Sequence, residues 1–441
     1  MAAAAELVPA IIANARDRGS LSDELHFAAT DPAERYHLDH GRANVLRALD
    51  IAPSDTVLEI GAEYGALTRY LGERAARVHA VEPDPAAAEV AATRTADLDG
   101  VRVGRELPAG DHDLAVVAHR YATPGLLRAL RSAGAVAVRV DDRTGRREVE
   151  AALAAAGWPA PTVLACAPDH RITRAVLSEE LIESWPRLAA ALDPAGRHGH
   201  LLLAGDVRWP ATRLACYFNT ADRAAVFCTR ADVVRTATGA QVRHAPLRPD
   251  PAPAGGICVR SFTDPVHDAP TMLAVLLEQP WRVTELLAGW RELVRAEAAH
   301  PGLWDLVPHN VLVDGPALRP IDLEWTHAHA GVREVTERGL LVLAHHLTEA
   351  GWAGAAPGGT MRELAGWLGV LLGLDPSYVD AAVDREVRFG VLGSCGGERG
   401  TTEIRARVRA VWERRLEQRA TGYRSLGIGH AERNWDEVRH T

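Results

Sequence analysis

The chain has 441 residues, more than one ordinary domain holds, so two or three folded units are expected. It is 47% hydrophobic, enough for packed cores, and its net charge of −9 argues against a nucleic-acid partner. No run of about 18 apolar residues is present, which argues against a membrane span, and the opening Met1-Ala2-Ala3-Ala4-Ala5-Glu6 lacks the basic segment of a secretory leader.

In chain order, residues 5–17 and 41–50 read as helices, with Tyr36-His37-Leu38-Asp39-His40-Gly41-Arg42 between them. From 55 onward strands and helices alternate. Strands are expected at 55–60, 77–81, 101–104, 113–118, 134–140, 161–166 and 172–177, and helices at 65–74, 85–95, 123–133 and 147–157. Such alternation means a mostly parallel sheet covered on both faces. The last two strands have only Ala167-Pro168-Asp169-His170-Arg171 between them, so they form a hairpin with an antiparallel strand at the sheet edge. Residues 181–210, with Pro186, Pro194, Gly196 and Gly199, read as a connector. A second pattern follows. Leu214–Phe218 and Ala224–Thr229 read as a hairpin, and Val233–Arg243 and Gly256–Ser261 as further strands. Helices then run from 268 to 299, short strands surround 310–323, and helices return at 331–350, 360–372 and 403–419.

The stretch with the clearest chemistry is Thr56-Val-Leu-Glu59-Ile-Gly61-Ala-Glu-Tyr-Gly65, followed by Arg77-Val-His-Ala-Val-Glu82-Pro-Asp84. An apolar strand enters a glycine bend and a helix, and the next strand ends in an acid. Small residues let a ligand approach the backbone, and an acid at that strand end can accept both hydroxyls of a ribose. A dinucleotide site is the rival, but Gly61 and Gly65 do not spell the Gly-x-Gly-x-x-Gly fingerprint. The stretch resembles motif I and the following acidic position of class I S-adenosylmethionine-dependent methyltransferases. That resemblance implies S-adenosyl-L-methionine as cofactor, with Gly61 and Gly65 under it, Glu59 facing its aminopropyl group and Glu82 on its ribose. Asp84 is a second candidate for the ribose, Glu106 after the third strand is the adenine-side candidate, and Tyr36 belongs to a segment folded over the cofactor. His119, ending the strand 113–118, is the first choice of general base, with His37 and His40 as alternatives. If the acceptor were a carboxylate, no base would be needed, and Arg42 or Arg120 would matter more.

Farther on, Asp305 and Asn310 have the Asp-x-x-x-x-Asn spacing of a kinase catalytic loop, and Asp322 follows an apolar strand where a metal-binding Asp would lie. This region resembles aminoglycoside phosphotransferases and lipopolysaccharide kinases, which implies ATP and magnesium. The whole chain is similar to bifunctional methyltransferase–kinase proteins of polysaccharide biosynthesis. It departs from them in having no lysine at all: each of its 49 basic residues is arginine. Arg243 stands near the position of the kinase lysine, and Arg keeps the charge but not the reach. The lobe is therefore read as a degenerate, non-catalytic kinase-like body, with a bifunctional enzyme and a non-catalytic scaffold as alternatives.

The fold class is α/β: a Rossmann-like class I methyltransferase domain followed by an α+β kinase-like bilobal domain. The expected divisions are 1–50 (N-terminal helical cap), 51–180 (methyltransferase), 181–210 (connector), 211–265 (small lobe) and 266–441 (helical lobe). The expected reaction is O-methylation of a hydroxyl, or as second choice a carboxylate, on a sugar-containing small molecule such as a natural product or glycan precursor. Cysteines at 166, 216, 228, 258 and 395 are odd in number and scattered, which fits a reducing cytoplasm. His327 and His329 have no companion ligands in sequence and are read as surface residues, so no metal site is expected. Nothing argues against a homodimer.

Overall fold

The computed structural model describes residues 2–419 apart from 141–142, 194–195, 197–198, 207, 222, 249–254, 268, 298–301, 353–358 and 396–400. The chain divides into two compact units, one of residues 1–221 and 230–237, the other of 222–229 and 238–441.

The first unit opens with α1 (Ala2–Asn14), α2 (Asp23–Ala28), α3 (Pro32–Leu38) and the short α4 (Asn44–Arg47). Alternation then sets in: β1 (Thr56–Ile60), α5 (Ala66–Arg74), β2 (Arg77–Val81), α6 (Pro85–Arg94), β3 (Val101–Gly104), β4 (Leu114–Ala118), α7 (Pro124–Ala129), β5 (Ala135–Val140) and α8 (Arg143–Ala155). Next come β6 (Thr162–Ala167), β7 (Ala175–Ser178), α9 (Glu179–Ser184), α10 (Pro186–Leu192), β8 (Gly199–Gly205), β9 (Arg213–Asn219) and β10 (Thr229–Thr236). The strands of this unit lie in the order β10-β9-β7-β6-β8-β5-β4-β1-β2-β3. From β3 to β5 all neighbours are parallel, and β8 is antiparallel to both β5 and β6. The order 3-2-1-4-5 is that of a doubly wound, Rossmann-like sheet, whose ligands sit outside the carboxyl ends of the strands where the winding reverses. Every residue of β1, β4 and β5 is buried, as strands covered on both faces require.

Three details differ from the expectation. The β6–β7 hairpin forms, but β7 is flanked by β9 and is not an edge. The antiparallel strand beside β5 is β8, which lies in the segment read as a connector. Its Leu201-Leu202-Leu203 run is wholly buried between β5 and β6. β9, assigned by sequence to the small lobe, likewise belongs to the first unit.

The second unit contains β11 (Gly239–Pro246), β12 (Ile257–Val259), β13 (Phe262–Pro265), α11 (Met272–Glu278), α12 (Val283–Glu297), β14 (Val311–Asp314), β15 (Ala317–Pro320) and β16 (Trp325–His327). Four helices close it: α13 (Val332–Glu349), α14 (Met361–Leu371), α15 (Tyr378–Cys395) and α16 (Thr401–Leu416). The pairs β11–β13, β12–β16 and β14–β15 are each antiparallel. Residues 233–243, expected as one strand, divide between β10 and β11, and Ala225–Phe227 is a 3-10 turn instead of a strand. The core gathers Trp290, Trp304, Trp325 and Trp412 with leucines and valines of α11 to α16. α15 was not expected. No helix among the described residues is long and apolar enough to cross a membrane.

Candidate ligand cleft and a second acidic cluster

β1 runs into a bend in which Gly61 has φ +89° and Gly65 φ +74°, a region L side chains avoid. A Cβ at Gly61 would come within 2.8 Å of the Tyr121 ring, and one at Gly65 within 2.9 Å of the Ala91 Cα. Both glycines are thus required by conformation and by space. Glu63 between them is also left-handed, at φ +52°. The bend is tied to the end of β2, because the Gly61 N–H donates to the Val81 carbonyl at 2.9 Å.

Glu82 follows β2 directly and is buried. Its Oε2 accepts from the Glu63 N–H at 2.8 Å and its Oε1 from the Asp84 N–H at 3.1 Å. A carboxylate has about four acceptor positions, so two such bonds leave capacity for a ligand's hydroxyls. Asp84, the second ribose candidate, caps α6 by accepting from the Ala86 N–H at 2.9 Å. Glu106 lies exposed beyond β3 and makes no hydrogen bond among the described residues.

Glu59 sits one residue before the end of β1 and is 1% exposed. Its Oε2 accepts from the Thr68 hydroxyl at 2.6 Å, while its buried Oε1 has no partner. Burial raises its carboxyl to about 7, against the opposing pull of Thr68, Arg139 and Arg42. An orphaned buried oxygen beneath a glycine bend is a vacant acceptor for a cationic or N–H group.

The N-terminal helices bring further side chains to this end. A capping box between Asp31 and Glu34 starts α3, which presents Tyr36 and His37. The buried Arg42 donates through Nη2 to the Tyr36 hydroxyl at 2.9 Å and lies over that ring at 4.2 Å. Its Nη1 reaches the carbonyls of His170 and Arg171, both at 3.3 Å, and Nη2 also meets Glu63 at 3.4 Å. Glu63, although burial opposes it, is held below its ordinary range by Arg42, Tyr36, Arg139 and Arg120. His37 packs on Tyr64 of the bend at 4.4 Å, and burial pushes it down to about 4. It is a neutral, weakly basic imidazole there.

His40 does not join this group. It stacks on His26 at 4.1 Å, lies 3.7 Å from Asp23, and its carbonyl accepts from Arg47 at 2.5 Å. His40 opens the 3-10 turn His40–Ala43, and its ring partners His26 and Asp23 both belong to α2. His119 stands in the 3-10 turn after β4, partly exposed, with Nε2 3.7 Å from Glu148 and its ring against Gly145. Arg120 reaches Glu63 at 3.2 Å and Glu82 at 3.8 Å.

Sequence reasoning missed Glu63, His170 and Arg139. Burial, then Arg139 and Arg42, push His170 down to about 2. Arg139 lies within the apolar run Ala135–Val140, is 2% exposed, and its side chain makes no ion pair among the described residues, its Nε having no hydrogen-bond partner. A charge inside an otherwise apolar central strand was the signal available.

In the second unit the structure does gather the three kinase-type residues. The Asn310 Nδ2 donates to the Asp305 carbonyl at 3.1 Å, and the Ile321 N–H donates to the Asn310 carbonyl at 2.9 Å. Asp305 pairs with Arg338 at 3.2 Å, and Arg338 also holds Glu386 at 2.6 Å. Burial raises Asp305 to about 6, with Arg338 opposing. Asp322 is left-handed at φ +53°, and its N–H donates to the Asp264 carboxylate at 3.0 Å. Desolvation and the charges of Glu324 and Asp305 push Asp322 up, although its half-exposed side chain lets water screen part of that push. His244, not Arg243, faces Asp322, at 3.6 Å; Arg243 is exposed, one residue earlier on β11. Among the described residues no group of three or more His, Cys, Asp or Glu is arranged to hold a metal ion.

No family model matches the chain, and no curated protein does. Among solved structures it is similar to a SAM-dependent methyltransferase from Aquifex aeolicus, at 17% identity over 42% of this chain and 97% of that one, with a TM-score of 0.28. It is also similar to an S-adenosylmethionine-dependent methyltransferase from Mesorhizobium loti, at 16% identity over 36% of this chain and 95% of that one, TM-score 0.26. A third likeness is to precorrin 8w decarboxylase of Methanobacterium thermoautotrophicum, at 18% identity over 37% and 88%, TM-score 0.27. Likenesses at such scores do not decide a function.

Proposed function

We propose that the first unit is an S-adenosylmethionine-dependent methyltransferase. The observation that carries this reading is the orphaned, buried Oε1 of Glu59 beneath the left-handed Gly61–Gly65 bend, with Glu82 at the next strand end. The residues present fit the cofactor: the bend offers backbone without side chains, Glu82 keeps acceptor capacity for a ribose, and Glu59 accepts an ammonium. When bound, the sulfonium supplies an electrophilic methyl group. Arg42 holds Tyr36 and Glu63 in place over the bend, and packing of His37 on Tyr64 helps exclude water. For a hydroxyl acceptor the base is His119, whose Nε2 lies 3.7 Å from a Glu148 carboxylate oxygen.

The acceptor is read as a sugar-containing small molecule on the strength of the sequence resemblance. The second unit is read as a kinase-like body that does not phosphorylate. Its Asp305 is committed to Arg338, and Arg243 does not face Asp322. The gathering of Asp305, Asn310 and Asp322 favours a second reading, a bifunctional enzyme using ATP and magnesium; calorimetric binding of ATP with magnesium, abolished in Asp322→Ala, would support it.

The test of the main reading is calorimetry with S-adenosylhomocysteine. Wild type should bind, and Glu82→Ala should bind about tenfold to a hundredfold more weakly, as expected for lost hydrogen bonds to a charged group. Equal affinity in that variant would overturn the ribose assignment, and no binding to wild type would overturn the function.

A further inference from the structure

Buried arginines in folded proteins are paired, because an uncompensated buried charge costs several kcal/mol. Among the described residues Arg139 has no ion-pair partner, unlike Arg42 beside it. Arg42 spends its guanidinium on two carbonyls, a phenol and Glu63. Arg139 lies within electrostatic range of Glu59, Glu63, Tyr36 and Arg42, and its Nε has no hydrogen-bond partner.

The strand register says where it points. Leu58 and Ile60 of β1, Ala115 and Val117 of β4, and Val136, Val138 and Val140 of β5 form one core face under α7 and α8. Side chains alternate along a strand, so Glu59, Ala118 and Arg139 lie on the opposite face. Arg139 pairs in register with Ala118, and β4 separates it from β1 and its bend. Glu59 and Glu82 mark the half over β1 and β2. Arg139 marks the half over β5, with His170 and Arg42 beside it. Its ladder partner Ala118 carries only a methyl group.

We propose that Arg139 is a specificity residue that receives a carboxylate of the acceptor. This rests on the methyltransferase reading and deepens it. A monoanion answers one unmatched guanidinium: Arg42 is already paired with Glu63, and Arg139 has no ion pair among the described residues. One carboxylate balances that single charge, whereas a doubly charged phosphate would overshoot it. The planar fork of an arginine also matches a carboxylate with two parallel hydrogen bonds. His170, a neutral ring at this end, adds no competing charge.

The experiment uses the full chain saturated with S-adenosylhomocysteine and titrated with acetate, benzoate and inorganic phosphate. Wild type, Arg139→Met and Arg139→Lys are compared, with circular dichroism and thermal melting confirming that each is folded. We expect the carboxylates to bind wild type, to bind Arg139→Met about tenfold more weakly or worse, and to be partly restored in Arg139→Lys. Affinity for S-adenosylhomocysteine should be the same in all three. The inference is overturned if carboxylate binding is absent or insensitive to the substitution, or if phosphate binds more tightly than either carboxylate. It is also overturned if Arg139→Met weakens S-adenosylhomocysteine but not methylthioadenosine, since the guanidinium would then hold the cofactor's own carboxylate. Failure of wild type to bind S-adenosylhomocysteine would instead defeat the methyltransferase reading itself.

Discussion

Two groups of buried and half-buried charges occupy this chain, and they differ in what remains undone. At the strand ends of the first unit, Glu59 keeps an oxygen without a partner, Arg139 an Nε without one, and Glu82 has spare acceptor positions. In the second unit Asp305 is committed to Arg338, Arg338 also to Glu386, and Glu324 to Arg223 and Thr229. The first group leaves hydrogen-bonding capacity unused among the described residues. The second largely satisfies itself. Motif spacing alone would rank the two equally, and hydrogen-bond accounting separates them.

The largest expected effect tests the self-satisfied group. Arg338→Met removes the cation between Asp305 and Glu386 and leaves buried carboxyls uncompensated, which should cost about 3–5 kcal/mol in urea unfolding of the second unit. A loss under about 1 kcal/mol would mean that this cluster is no more committed than the cleft. Next in size is Gly65→Val. The left-handed backbone and the Ala91 main chain 2.9 Å from the new Cβ should together cost about 2–4 kcal/mol, and S-adenosylhomocysteine binding should be lost. Unchanged binding and melting would show that the bend is freer than its contacts imply.

Smallest, and most specific to the unsatisfied group, is the pH dependence set by Glu59. Burial raises its folded pKa from 4.5 to about 7. The folded state therefore favours the protonated form. The stability this contributes is complete below about 4.5 and is lost as pH rises through about 7. Glu59→Gln is always neutral, so it should gain on wild type across that window, by on the order of 2 kcal/mol above it. Saturating S-adenosylhomocysteine should narrow the gap, because an ammonium beside Glu59 favours its ionised form. A gap that is flat with pH would remove Glu59 from the list of strained groups.

Much of the first unit was legible because its signals are local. The apolar runs at 56–60 and 114–118 became central strands, and Gly61 and Gly65 fell where a left-handed turn was needed. β8 was not legible for a physical reason. Its ladder partners are Ala135–Val140 and Thr162–Cys166, tens of residues earlier, and a short apolar run beside glycines reads equally well as a connector. Arg139 was passed over because periodicity assigned its neighbours to a buried strand, and only the three-dimensional hydrogen-bond count shows that its charge is unmet. His40 had the right residue type beside the right segment, but the direction of a single 3-10 turn decided its partners.

The late arrival of β8 bears on how the first unit can be cut out and handled. A polypeptide ending at residue 180, the boundary that motif spacing suggests, would carry every element of the glycine bend. It would also leave two long, apolar strand margins, those of β5 and β6, with no neighbour between them. Bare margins of this kind recruit other chains, so such a truncation should precipitate however sound its ligand-binding loop. Extending it through residue 221 restores both ladders.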